Sequence, residues 1–170
     1  MDGLERTVEM HKDRVFRFAY CFLGDRAEAE DVTQEVLVRL WRSHAKVDGS
    51  RLGAWLMRVT RNLCIDAVRA RTRERALMAG ERALRAIEAS PAAARQPESA
   101  VELSELAERV KRALEVLAEP YRTVVVLREI QGMSYDELSE ALGMPLNTIK
   151  VYLHRARRRL RDELREAGHP

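Results

Sequence analysis

The chain has 170 residues, room for one large domain or two small ones. No run approaches the roughly 18 consecutive apolar residues of a membrane span, and the first thirty residues lack a secretory leader pattern, so an intracellular, cytoplasmic protein is expected. Cys21 and Cys64 are the only cysteines, too few for a disulfide framework or a cysteine-built zinc site; both are expected reduced and packed in the core.

The net charge is only +3, but its distribution is uneven. The stretch from Ser99 to Met144 holds nine acidic and five basic residues, while Pro145 to Arg165 holds seven basic and two acidic ones. Solubility alone gives no reason to gather positive charge in one terminal segment; a polyanionic partner does.

The apolar residues recur at threes and fours, with no sustained alternation, which predicts an all-α chain. The first helix is expected from about Leu4 to Leu23, with Val8, Val15, Phe16, Ala19, Tyr20 and Leu23 as its apolar positions. Gly24 suits the left-handed position after a helix, and Asp25 suits the cap of the next. That second helix buries Val32, Val36 and Leu40, with Trp41 a further candidate, and ends near Ser43. A loop from His44 to Arg51 turns at Asp48-Gly49-Ser50. The third helix runs from about Leu52 to Arg73, with Trp55, Leu56, Val59, Leu63 and Ala67 on one face.

From Ala76 to Ala100 the chain is alanine-rich, carries Pro91 and Pro97 and has no aromatic residue. It can bury little apolar area and reads as a flexible linker with a helical start. The expected division is therefore a domain over 1–75, a linker over 76–98 and a second domain over 99–170. In the second domain one helix reaches about Leu117, and another starts near Pro120 and ends before Gly132. The run Ser134-Tyr-Asp-Glu137 has the capping-box spacing and opens a short helix ending at Gly143. Pro145 starts the last helix, which reaches about Glu166.

Ser134 to Arg158 has the form of a helix-turn-helix. Leu138 and Ala141 face inward on the first helix; Ile149, Leu153, Ala156, Leu160 and Leu164 form one stripe on the second. The opposite face offers Asn147, Lys150, Val151, His154, Arg155 and Arg158, suited to a major groove and its phosphates. The bland alternative is a helical hairpin with a solvated basic face. His11, His44, His154 and His169 have no metal-ligand spacing, and there is no phosphate loop or nucleophile elbow. Neither an enzyme, a metal, a cofactor nor a small-molecule substrate is expected.

With these stretches in view, the chain resembles the extracytoplasmic-function (ECF) group of bacterial sigma factors, of the sigma-70 family, over nearly its whole length. Region 2 is matched by Asp31-Val-Thr-Gln-Glu35, Val38-Arg-Leu-Trp-Arg42, Trp55-Leu-Met-Arg58 and Arg61-Asn-Leu-Cys-Ile-Asp66. Region 4 is matched by Tyr121-Arg122, Leu127-Arg128-Glu129, Gly132-Met-Ser-Tyr135, Leu142-Gly143 and His154-Arg155-Ala156-Arg157. Each piece is weak alone; in this order, separated by a linker, they are specific.

The resemblance implies two small helical domains, a region 2 bundle and a region 4 helix-turn-helix. It implies a promoter-specificity subunit whose partners are core RNA polymerase and promoter DNA. An anti-sigma protein, in this family often membrane-anchored, is a further implied partner. By resemblance, Asp31, Gln34, Glu35, Arg39 and Arg42 meet the polymerase β′ clamp, although the acids among them would also favour any helix N-terminus. The −10 element falls to Asp48, Gly49, Ser50, Arg51, Arg58, Arg61, Asn62 and Arg69. An exposed amide can bond a base edge there and arginines can hold the strand; for Asn62 a bond to nearby backbone is the competing reading. Region 4 sits on the β flap and reads the −35 element through Asn147, Thr148, Lys150, Val151, His154, Arg155 and Arg158. The chain departs from the family's usual pattern at three places: Asn147 where glycine is common, Val151-Tyr152 for Ser-Arg, and Ala118 with proline only at Pro120. These bear on the −35 preference rather than on the fold. The rivals to this reading are an autonomous helix-turn-helix regulator, which would carry a ligand pocket or dimerisation helix in its N-terminal unit, and a decoy interaction protein.

Overall fold

The structure is a computed structural model, and it describes residues 2–43, 47–85 and 103–166. Among these residues the elements are helices and turns, with no strand. The part of the expected linker from 86 onward, and the start of the second domain up to 102, lie outside the described residues.

The first unit is built from α1 (Asp2–Leu23), α2 (Arg26–Ser43) and α3 (Leu52–Arg85). Gly24 takes φ +72° between α1 and α2, and its N–H closes the end of α1 by donating to the Tyr20 carbonyl at 2.9 Å; the missing Cβ is what makes that backbone inexpensive. Asp25 accepts from the Glu28 N–H at 2.9 Å and caps α2. The core between the three helices comprises Val15, Phe18, Ala19 and Phe22, then Val32, Val36 and Leu40, then Leu56, Met57 and Cys64. Two hydroxyls lie buried in it. Thr33 and Thr60 satisfy themselves by donating to the carbonyls of Ala29 and Leu56, each at 2.7 Å.

The second unit is built from α4 (Leu103–Glu115), α5 (Tyr121–Val125), α6 (Tyr135–Leu142) and α7 (Leu146–Glu166). After α5 the chain widens into a π turn over Val126–Ile130, closed by the Gln131 N–H donating to the Val126 carbonyl at 3.0 Å. The β-branched run Val124 to Val126 is thus helical, as the surrounding period predicts, and wholly buried. The capping box is present in full: Ser134 accepts from the Glu137 N–H at 3.2 Å, and Glu137 accepts from the Ser134 N–H at 2.7 Å. Gly143 turns α6 into α7 at φ +64°. Leu138, Ala141, Ile149, Leu153 and Ala156 then pack inward, the stripe read from the spacing.

Three expectations are corrected. The buried line of α1 includes Phe18 and Phe22, while Tyr20 is exposed and stacks on Phe16 at 6.0 Å. The reason is that α1 is covered twice, by α2 and α3 and by the second unit, so one stripe understates what it buries. Trp41 is 66% exposed rather than inward. The third helix does not end near Arg73 but continues to Arg85. Its extension is rich in alanine, arginine, leucine and glutamate, strong helix formers, with Gly80 the only interruption.

The two units pack directly, α3 on α6, and α1 on α4 and on the π turn. Their buried residues form one continuous apolar cluster, fringed by arginines that reach across. Arg122 lies 5.3 Å over the Phe22 ring and Arg58 reaches the end of α6.

Candidate nucleic-acid and polymerase interfaces

On α2, Asp31, Gln34, Glu35, Arg39 and Arg42 are all exposed. Steps of three, one, four and three keep them along one side of the helix, and Glu35 and Arg39 pair at 2.7 Å. The same exposed surface carries Val38 and Trp41, 41% and 66% accessible. Exposed apolar groups amid charges are what a protein partner would bury. Sequence reasoning offered Trp41 as a further buried candidate and gave Val38 no site role; the signal was their offset from the buried Val32–Val36–Leu40 line, by one position for Trp41 and by two for Val38. Beside them a groove of about 360 Å³ between α1 and α2 is lined by Lys12, Phe16, Arg26, Gln34 and Leu37.

The turn before α3 is ordered by Asp48, whose carboxylate accepts from the Ser50 N–H at 3.0 Å. That backbone donor holds its pKa below the usual carboxylate value, so Asp48 stays charged and occupied with the turn. Gly49, Ser50 and Arg51 then form one exposed 3₁₀ turn. Behind it a cleft of about 530 Å³ is lined by Asp48, Arg51, Trp55, Arg58 and, from the second unit, Glu140. Asn62 is exposed one turn on, and its side-chain oxygen accepts from Arg61 at 3.4 Å. Its partner is thus a side chain, not the backbone group of the competing reading. Arg69 is exposed and 3.7 Å from Asp66. The expected −10 residues therefore run from the turn before α3 along that helix as far as Arg69, and not all are open to solvent. Arg58 donates to the carbonyls of Ala141 and Glu140, Arg51 lies 3.2 Å from the Glu140 carboxylate, and Arg61 lies 3.8 Å from that of Glu119.

On α7, Asn147, Lys150, Val151, His154, Arg155 and Arg158 are exposed and Thr148 is half-buried. One residue group absent from the sequence reading joins them. The Lys150 ammonium lies 5.8 Å, and the Arg128 guanidinium 4.8 Å, from the centre of the Tyr135 ring. Arg128 is fixed there by donating to the Met133 carbonyl, and Arg157 pairs with Glu129 at 2.5 Å. The aromatic face draws cations from separate elements to one place, a convergence that spacing along one helix cannot reveal.

Cys64 is buried and Cys21 half-buried; both are free thiols. Burial pushes the Cys64 pKa up, with the carboxylates of Glu119 and Glu28 adding to it. Among the described residues no helix is long and apolar enough to cross a membrane.

The geometry is that of an all-helical protein whose C-terminal unit presents a helix-turn-helix and whose N-terminal unit is a helical bundle with exposed polar residues along α2 and α3. Residues 7–74 match the family model of Sigma-70 region 2, and residues 107–160 that of Sigma-70, region 4. The chain is 38% identical over 164 residues to the ECF RNA polymerase sigma factor SigE of Mycolicibacterium smegmatis, covering 96% of this chain and 62% of that protein. It is 34% identical over 169 residues to SigW of Bacillus subtilis, covering 97% and 90%. Among solved structures it superposes on the sigma factor RpoE of Bartonella quintana, in complex with the anti-sigma factor NepR. The TM-score is 0.75 at 26% identity, over 97% of this chain and 98% of that one. The chain belongs to the sigma-70 family, among the ECF RNA polymerase sigma factors.

Proposed function

We propose that this chain is the dissociable promoter-specificity subunit of a bacterial RNA polymerase, acting in the cytoplasm and catalysing nothing itself. The observation that carries the reading is the presence, in one chain and in order, of both sigma regions, each presenting an exposed polar face. Residues 1–75 serve as region 2 and 99–170 as region 4, with 76–98 between them. In region 2, Asp31, Gln34, Glu35, Arg39 and Arg42 dock on the β′ clamp. The cleft beside Trp55, with Asp48 to Arg51, Arg58, Arg61, Asn62 and Arg69, takes the non-template −10 strand. Opening exposes the bases, and a flipped base held in a pocket offsets an unstacking cost of a few kcal/mol. In region 4, sited on the β flap, Lys150, Val151, His154 and Arg155, flanked by Asn147, Thr148 and Arg158, read the duplex −35 element. An anti-sigma protein is a further partner, the kind of protein with which the Bartonella quintana relative was solved.

The test is reconstitution. Purified chain added to core polymerase yields transcripts with defined 5′ ends, and core alone does not. Tight promoter-specific binding by the free chain at physiological salt, with no transcripts from the mixture, would instead establish an autonomous helix-turn-helix regulator.

A further inference from the structure

We propose that Tyr135 is a positioning residue for −35 reading, its ring holding the Lys150 ammonium at the face that meets DNA. The inference rests on the −35 assignment above. Lys150 is exposed on α7, and its ammonium lies 5.8 Å from the centre of the Tyr135 ring, within the reach of a cation–π attraction. A lysine carries a compact charge on a flexible four-carbon stem. Left to solvent, it samples many rotamers and must surrender them on binding. A ring beside the charge removes part of that loss before DNA arrives. The ammonium has three donors; the ring takes one side of it and leaves the other donors for a phosphate or a base edge.

The ring suits this role because it is itself fixed. Tyr135 opens α6 directly after Ser134, whose capping box with Glu137 is complete, and its side chain is half-buried against the core. Arg128 lies 4.8 Å from the centre of the same ring and is tied down by donating to the Met133 carbonyl at 2.6 Å. The Tyr135 hydroxyl borders Arg157, which Glu129 engages. Two of the cations gathered here are therefore each held by an oxygen acceptor. Lys150 differs: among the described residues its ammonium has the ring as a partner and no carboxylate or carbonyl. A lysine that served only the fold would be expected to find an acceptor. This one is held in place with its charge left unneutralised, as a group awaiting an anion or a base edge would be. The contact also crosses from the first helix of the helix-turn-helix to the second, so it sets the reading side chain relative to α6.

The test uses holoenzyme reconstituted from core polymerase and the full-length chain. Filter binding at low temperature, on a promoter fragment from which the wild-type holoenzyme initiates, reads docking before opening. Tyr135→Phe keeps the ring and loses the hydroxyl, and should dock about as well as wild type. Tyr135→Leu removes the ring. A trifluorinated phenylalanine at position 135 stays close in shape to phenylalanine but draws electron density off the ring face. Relative to Tyr135→Phe, both should weaken docking about two- to fivefold, the worth of one exposed cation–π contact. In a Lys150→Ala background neither should weaken it further. A ring that only supports the fold would weaken docking alike in both backgrounds and would not respond to fluorine. Should Tyr135→Leu fail to fold, the fluorinated chain decides alone. Equal loss with and without Lys150, or no loss in either, overturns the positioning role and leaves the −35 assignment standing. If Lys150→Ala itself docks as wild type does, Lys150 leaves the −35 surface and the proposal falls with it.

Discussion

Arg122 lies 5.3 Å over the ring of Phe22 and donates to the carbonyl of that same residue at 3.3 Å, across one hundred positions of sequence. Its other nitrogens donate to the carbonyls of Leu117 and Glu115, at 3.2 and 2.8 Å. One guanidinium thus closes the end of α1, the stretch that follows α4 and the contact between the two units. Burial lowers its pKa, with the carboxylates of Glu119 and Glu115 opposing that shift. Lysine cannot reproduce a planar fork with five donors. Arg122→Lys should therefore cost about 1 kcal/mol, the loss of hydrogen bonds to part-buried and exposed carbonyls. Calorimetry should show a lower midpoint for Arg122→Lys, and for Arg122→Ala a split into two transitions as the units uncouple. An unchanged single transition for Arg122→Ala would mean that Arg122 does not couple them.

The capping box gives a second prediction, with a sign. The Ser134 N–H and hydroxyl hold the Glu137 pKa below its usual value. A carboxylate whose folded pKa is depressed adds stability above its unfolded value of about 4.3, and that stability is lost as pH falls through the lower folded value. Ser134→Ala should cost about 1 kcal/mol at pH 7, and the gap between wild type and Glu137→Gln should narrow as pH drops below about 4.3. Denaturant melts at pH 7 and in that acidic range measure both. A gap that is constant with pH would show that the charge of Glu137 takes no part in the cap.

Much of this architecture is legible in the chain, and the failures have physical causes. Gly24, Asp25, Ser134, Glu137 and Gly143 announce their roles because caps and left-handed turns are local and depend on one or two residue types. The stripe of Leu138, Ala141, Ile149, Leu153 and Ala156 is equally plain, since one partner surface covers it. Periodicity misplaces Tyr20 and omits Phe18 and Phe22 because α1 is covered on more than one side, and a period reports only a single buried face. The engagement of Arg51, Arg58 and Arg61 by α6 and Glu119, and of Arg128 and Lys150 by Tyr135, joins groups from separate helices. Spacing along the chain carries no information about such meetings.

Cys64 is buried with its thiol pKa pushed up by that burial, whereas Cys21 is only half-buried. The thiolate is the reactive form, so Cys21 should react first with a small disulfide reagent. Cys64 should react more slowly, in proportion to the fraction of molecules in which the bundle is open, and denaturant should raise its rate. Reaction of Cys64 as fast as Cys21 in native buffer would contradict its burial.

The upstream surface is tested by Lys150→Ala and Arg155→Ala. Both side chains are exposed on α7, with Lys150 drawn toward Tyr135. If either contacts a base, its loss costs about 1–3 kcal/mol on the cognate −35 duplex and relaxes preference at that position. If either contacts only phosphate, binding to all duplexes weakens alike and the salt slope becomes shallower by about one. Holoenzyme competition on −35 duplexes at several salt concentrations separates the two. No change for both variants would place the recognition surface elsewhere.

Asn62 supplies the complementary test in region 2. Its side chain is exposed and its oxygen accepts a long bond, 3.4 Å, from Arg61, so exchanging that bond for a base edge sacrifices little. A base edge on a single strand is available only after melting. Asn62→Ala should therefore leave −35 docking by the holoenzyme intact while reducing the open fraction. A lost base contact of about 1–3 kcal/mol lowers the opening equilibrium by roughly 5- to 150-fold. Permanganate footprinting reports unstacked thymines in the opened region, and a filter-binding assay at low temperature reports docking before opening. The variant should match wild type in the second assay and fall behind in the first. Asn62→Asp separates the parts of the amide: it keeps an acceptor but loses the donor and adds a negative charge, so a strand held by donation from Asn62 should open even less than with alanine. Opening by Asn62→Ala equal to that of wild type would remove Asn62 from the −10 surface and leave Arg58 and Arg61 as the groups to examine.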